Sequence, residues 1–271
     1  MIKIENLGYS YSQSGGVSAL RRIDLEICEG EFIALIGPSG CGKTTLAKCL
    51  NGILTPSCGQ VLIDGLNTAS KEAKWTIRQQ VGIVFAHSEN QLIGGTVEED
   101  IAFGLENIGM EPSLMRQRID ETLGLLSLEE YRDFPPHLLS DGQKQVVAIA
   151  GVLAFHPKYL VLDRATELLD PGAQRRVLEI VQRLNRKGMT ILLITHSMEE
   201  IFLAQRVVVM DQGKKILEGE AKEIFAHPIV EGLGLSPPLS FRFITSLRQR
   251  GLDVSEDTMM STEGVLKAIC P

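Results

Sequence analysis

The run Gly37-Pro38-Ser39-Gly40-Cys41-Gly42-Lys43-Thr44-Thr45 constrains this chain more than any other stretch, because it fits the pattern G-x-x-x-x-G-K-[ST]. Glycines at that spacing let consecutive backbone N–H groups converge on phosphate oxygens. A lysine then reaches the outer phosphates, and a hydroxyl is offered to Mg²⁺. In this chain those groups are Lys43 and Thr44. The same letters would make an ordinary glycine-rich turn unless a strand leads in and a helix leads out. Phe32-Ile33-Ala34-Leu35-Ile36 precedes the run and Leu46 to Leu50 follows it with a helical pattern, so the context is met. The expected ligand is a nucleoside triphosphate, ATP with Mg²⁺.

The remainder of the pattern is that of an α/β protein. Ile2, Ile4 and Leu7, then Ile23, Leu25 and Ile27 alternating with Asp24 and Glu26, predict half-exposed strands and an antiparallel start. Val81 to Phe85, Tyr159 to Leu162, Thr190 to Ile194 and Val207 to Met210 have the length and β-branched content of buried parallel strands. Helical segments are expected at Thr96–Ile108, Ser113–Leu126, Gln143–Ala154, Ala173–Arg186 and Met198–Ala204. Alternation of this kind predicts a parallel core sheet between helices. With 271 residues, 44% of them hydrophobic, the chain can build one large domain with a small appendage. The pattern breaks at Pro228, Pro237 and Pro238, after which a short helical tail is expected.

Charge and cysteine usage exclude several classes. A net charge of -7 and a pI near 5.4 argue against a broad nucleic-acid surface. Five cysteines, Cys28, Cys41, Cys49, Cys58 and Cys270, form no C-x-x-C pair and no zinc spacing, as expected of free thiols in a reducing compartment. No apolar run reaches the ~18 residues that span a bilayer. The opening Met1-Ile2-Lys3-Ile4-Glu5 lacks a signal-peptide core, so a membrane role is expected to come through partners.

Two further positions belong with the loop. Asp163 ends the strand Tyr159–Leu162, where a carboxylate lies beside the phosphates and helps to hold Mg²⁺. His196, after the strand that ends at Thr195, is a candidate for contact with the γ-phosphate or for positioning water. Each residue alone would be an ordinary turn or surface group. Their value comes from the loop.

With Leu139-Ser140-Asp141-Gly142-Gln143 opening a helix between loop and Asp163 strand, the chain resembles the ABC ATPase family over residues 1 to about 228. The family's Leu-Ser-Gly-Gly-Gln signature presents a serine and a helix N-terminus to ATP held by an opposite subunit. Here Ser140, Asp141, Gly142 and Gln143 occupy it, Leu168-Leu169-Asp170 resembles the D-loop, and Tyr11 matches the aromatic on which adenine stacks. The resemblance implies a P-loop NTPase fold of ABC type, with an N-terminal antiparallel β subdomain and a helical subdomain at about 87–157 carrying the signature. A C-terminal extension at 229–271 is a candidate dimerisation region. Thr96 to Gly104, His137 to Ser140, Val147 to Ala154 and Arg250-Gly251-Leu252-Asp253 narrow the likeness to the ATPase subunits of energy-coupling factor transporters. That narrower likeness implies a peripheral subunit on the cytoplasmic face of the cell membrane, working as a homo- or heterodimer. It docks on a transmembrane coupling protein, while a separate membrane protein captures a vitamin or metal ion. A soluble ABC protein acting on DNA or ribosomes ranks last, since neither a coiled-coil insert nor a second ABC domain is present.

The chain departs from the family where hydrolysis is performed. Arg164 stands in place of the glutamate that follows the strand-end aspartate, and an arginine cannot accept a proton from water. It can pair with phosphate and hold ATP longer. Ala86 replaces the glutamine that contacts Mg²⁺ and the attacking water. Asp141 replaces the first signature glycine, where one like-charge interaction ~5 Å from a triphosphate costs roughly 3 kcal/mol at an effective dielectric of ~20. The ~0.3–1 kcal/mol that a carboxylate gains at a helix N-terminus is smaller. Val146 stands where the family usually has arginine and Glu167 where it usually has a small polar residue. Because each ABC site joins one subunit's loop to the other's signature, a homodimer would be impaired twice at each site. The alternative reading is therefore a nucleotide-holding structural or regulatory subunit with negligible turnover.

Overall fold

The computed structural model describes residues 1–11, 18–86 and 91–249. The expected tail motif Arg250-Gly251-Leu252-Asp253 lies outside the described residues. Two sheets form the frame. Strands β1 (Ile2–Ser10), β2 (Ser18–Ile27), β4 (Cys58–Ile63) and β5 (Leu66–Asn67) make an antiparallel sheet in the order β2-β1-β4-β5. Strands β3 (Phe32–Ile36), β6 (Val81–Phe85), β7 (Tyr159–Asp163), β8 (Thr190–Ile194), β9 (Arg206–Asp211) and β10 (Lys214–Gly219) make the second, ordered β10-β9-β3-β8-β7-β6. It is parallel throughout except for β10, which pairs antiparallel with β9.

The continuous apolar strands are explained by cover on both faces. Along β7 and β8, Val161, Leu192 and Ile194 pack toward the antiparallel sheet and helix α1 (Lys43–Leu50), together with Ile33, Leu35 and Val208. The intervening Leu160, Leu162, Ile191 and Leu193 pack toward the opposite side. There they meet helices α3 (Val97–Asn107), α4 (Pro112–Leu126), α5 (Asp141–Leu153) and α6 (Pro171–Arg186). Ala34, Ile36, Val207 and Val209 are covered instead by α8 (Ala221–Ala226) and the segment around Val230 and Leu235. Alternate residues on one strand thus enter different cores, and every position must be apolar.

The structure corrects the expected picture at several points. Val81 to Phe85 does not form a fully buried strand: β6 is the sheet edge, and only Val81 and Val84 are buried. Helix α1 begins at Lys43 rather than Leu46, because the phosphate loop feeds directly into it. Strands β4, β5 and β10 and helix α2 (Lys74–Gln80) fall in stretches that were too short or too polar to read. The tail continues as α9 (Pro228–Gly232) and α10 (Leu239–Gln249). Phe241 of α10 joins Phe202 and Phe225 in a cluster with ring centroids 5.7–6.0 Å apart, so this part of the tail is packed onto the sheet body.

Candidate nucleotide site

Parallel strand order places the singled-out residues along one edge. The register aligns Phe85 with Asp163 and Asp163 with Ile194, so Ala86, Arg164 and Thr195-His196 all leave the sheet at the level where β3 enters the glycine loop. Ligands of open α/β sheets bind outside these carboxyl ends.

The loop needs glycine at two positions for space as well as for conformation. Gly37 has φ 148°, and a Cβ there would lie 2.0 Å from the Met210 carbonyl oxygen. Gly42 has φ 108°, and its Cβ would lie 2.5 Å from the Ala19 carbonyl oxygen. Gly42 caps α1 without a side-chain bond, which leaves the first-turn N–H groups of the helix facing the loop. Gly37→Ala is expected to displace the loop and lower ATP affinity at least roughly tenfold, about 1.4 kcal/mol, in an equilibrium titration. Native affinity in that variant would count against the geometry.

Lys43 is 6% exposed. Its ammonium donates to the carbonyls of Gly37 at 2.7 Å and Pro38 at 2.9 Å, and to Cys41 Sγ at 3.5 Å. The charge is therefore held at the mouth of the loop. Tyr11, just beyond β1, is 61% exposed, makes a hydroxyl–hydroxyl hydrogen bond of 3.0 Å with Thr45 and stands edge-to-face on Tyr9 at 5.0 Å. These groups line a cavity of about 540 Å³ with Ser39, Gly40, Thr44, Asp163, Arg164 and His196. Pro38 accepts from Lys43 through its carbonyl, and Cys41 is buried within the loop.

Asp163 is 3% exposed, and its Oδ1 has no hydrogen-bond partner among the described residues. An orphaned buried acceptor costs ~1–3 kcal/mol, more when charged. A carboxylate oxygen and the Thr44 hydroxyl, sharing a cavity, are hard oxygen donors that fit Mg²⁺. Among the described residues no group of three or more His, Cys, Asp or Glu could hold a metal ion. Burial lowers the His196 pKa, with the cations Lys43 and Arg164 acting in the same direction against Glu167 and Asp163. The imidazole is accordingly neutral at pH 7.

Arg164 sits in the left-handed region at φ 56°, and its guanidinium lies 3.7 Å from Glu167. It also faces a second cavity of about 430 Å³ shared with Thr44, Lys48, Ala86, Gln91 and Asp163. The methyl of Ala86 offers no polar atom there. Gln91 does: its amide accepts from the Phe85 N–H at 3.3 Å and donates to the Phe85 carbonyl at 3.1 Å.

The signature is built but stands apart. Ser140 caps α5 in a capping box: its hydroxyl accepts from the Gln143 N–H at 3.3 Å, and the Gln143 side chain accepts from the Ser140 N–H at 2.9 Å. Asp141, exposed, pairs with Lys144 at 3.3 Å, a contact that offsets part of its charge locally. Ser140, Gly142 and Gln143 line a separate cavity with Asp170 and Arg176, away from the loop of the same chain. Asp170 caps α6, accepting from the N–H groups of Gly172 at 2.8 Å and Ala173 at 3.0 Å.

Sequence reasoning missed Arg21, Gln212 and Gly213, which line the phosphate cavity. Gly213 N–H donates to the Cys41 carbonyl at 3.0 Å, and the Arg21 N–H donates to the Gly213 carbonyl at 2.7 Å, so the β9–β10 turn buttresses the loop. The pair Gln212-Gly213 between two strands was the available signal.

A glycine loop on β3, an aspartate ending β7 and a separate capped signature helix define an ATP-binding cassette, and the sequence model described as ABC transporter matches residues 20–167. The energy-coupling factor transporter ATP-binding protein EcfA1 of Clostridium perfringens is 40% identical over 275 residues, spanning 100% of this chain and 98% of that protein. The corresponding EcfA of Methanosarcina acetivorans is 42% identical over 270 residues, with 100% and 98% covered. The solved structure of cbiO1 from Clostridium perfringens, described as part of the ABC transporter complex cbiONQ, superposes with a TM-score of 0.76 at 36% identity, covering 92% of this chain and 98% of that one. A dimeric cassette, MJ0796 bound to ADP and Pi, gives 0.75 at 29% identity, covering 82% and 99%. This chain belongs to the family of energy-coupling factor transporter ATP-binding proteins.

Proposed function

We propose that the chain is the ATP-binding subunit of an energy-coupling factor importer, a peripheral protein on the cytoplasmic face of the membrane. There it converts nucleotide-driven pairing of two cassettes into movement of a transmembrane coupling protein, and a separate membrane protein captures a vitamin or metal ion. The observation that carries the ATP-binding part is the cavity lined by Ser39, Gly40, Gly42–Thr45, Asp163 and His196. Residues 1–228 form the cassette, and 229–271 are a C-terminal extension and candidate dimerisation region.

Within the cavity, N–H groups of Gly40 to Thr45 bind phosphate oxygens, Lys43 turns from the loop carbonyls to the outer phosphates, and Tyr11 stacks on adenine. Thr44 and Asp163 would hold Mg²⁺, which neutralises phosphate charge when bound. His196 donates a hydrogen bond to the γ-phosphate. Ser140 and Gln143 serve the site of the opposite subunit, in keeping with their distance from this chain's own loop cavity.

A second reading concerns the rate after binding. Arg164 cannot take a proton and Ala86 cannot hold water, so this chain retains ATP and turns it over slowly. No described helix is long and apolar enough to cross a membrane. Affinity purification of the full-length chain from detergent-solubilised membranes is expected to bring down an integral membrane protein. Recovery of the chain with no membrane partner would count against the transport role.

A further inference from the structure

We propose that Glu167 acts as the proton acceptor for the attacking water in this chain, a role moved three residues along the loop from position 164. The proposal rests on the reading that Gly37–Thr45 holds ATP. After β7 the backbone folds into a turn in which the Glu167 N–H donates to the Arg164 carbonyl at 3.2 Å. A turn of that span sets residue 167 beside residue 164. The Glu167 carboxylate then lies 3.7 Å from the guanidinium of Arg164, a residue that lines both the phosphate cavity and the Thr44–Asp163 cavity.

Competing carboxylates on this loop are already engaged or wrongly placed. Asp163 is buried at the strand end with its free oxygen beside the metal donors, and Asp170 is spent capping α6. Glu200, behind the loop, is buried and accepts from Thr166 and Gln174 at 2.7 Å each. Glu167 is exposed and ion-paired with the arginine.

The ion pair supplies a trigger. A γ-phosphate carries more charge than one carboxylate and takes the guanidinium in a charge-assisted pair, which releases Glu167. The water oxygen then bonds to the γ-phosphorus as the bond from that phosphorus to the bridging oxygen of the β-phosphate breaks. ADP leaves with the bridging electrons, and the water proton passes to Glu167 and on to solvent.

Single-turnover hydrolysis of radiolabelled Mg-ATP by the full-length chain, in excess over nucleotide, tests this directly. Glu167→Gln should slow turnover roughly tenfold to a hundredfold, the lower range of a general base, with ATP affinity unchanged within about twofold. Glu167→Asp should recover part of the rate, which a purely structural role for the ion pair would not require. ATP binding with equal rates in native and Glu167→Gln protein overturns the assignment alone, as does binding without any native turnover. A native chain that binds no ATP overturns the phosphate-loop reading and this one together.

Discussion

Lys43→Ala is expected to remove nearly all ATP binding at nucleotide concentrations a few times the native Kd. The ammonium is almost fully buried at the mouth of the loop and is positioned by the carbonyls of Gly37 and Pro38, so little reorganisation separates it from an outer phosphate. A hydrogen bond to a charged group contributes ~1.5–3 kcal/mol, and Lys43 supplies more than one at a triphosphate. Their loss corresponds to roughly a hundredfold or greater fall in affinity. Titration with a fluorescent ATP analogue reads this directly. Affinity within a few fold of native would mean that the loop amides do nearly all the work.

The second large effect is a gain. Arg164→Glu, Ala86→Gln and Asp141→Gly together should raise turnover roughly a hundredfold or more, the range that general bases supply. Each change acts at a different place: a carboxylate enters the phosphate cavity, an amide enters the cavity shared with Thr44 and Asp163, and a charge leaves the signature helix. The Asp141 change should contribute least, because Lys144 already pairs with that carboxylate. Single-turnover phosphate release from native and triple-variant protein checks the sum. No gain would show that these three positions do not carry the functions assigned to them.

The parts of the site legible in sequence were those whose chemistry is written in contiguous residues. Gly37 to Thr45 encodes its loop locally, and Asp163 was readable because an apolar strand stops at it. Two kinds of feature were hidden. The β9–β10 turn at Gln212-Gly213 contacts the loop across some 170 residues of chain, and pairing of that range has no local signature. The Gln91 side chain hydrogen-bonds to the Phe85 backbone, and a turn sets Glu167 beside Arg164, contacts that sequence order alone does not reveal. The fold failed to show where its elements were short: β5 has two residues, and β10 carries a mixed exposure that periodicity could not separate from loop. Edge position also escaped notice, since Val81–Phe85 is as apolar as the central strands and lies at the sheet edge.

Gly37–Thr45 keeps the phosphate-loop pattern while Arg164 and Ala86 stand beside it, which is the basis for the proposed division between holding ATP and splitting it. ATP affinity and ATP turnover measured on one preparation of the purified full-length chain test that division most directly. The expected result is saturable, Mg²⁺-dependent ATP binding with hydrolysis slow enough to require single-turnover detection. Brisk multiple-turnover hydrolysis by the chain alone would contradict it.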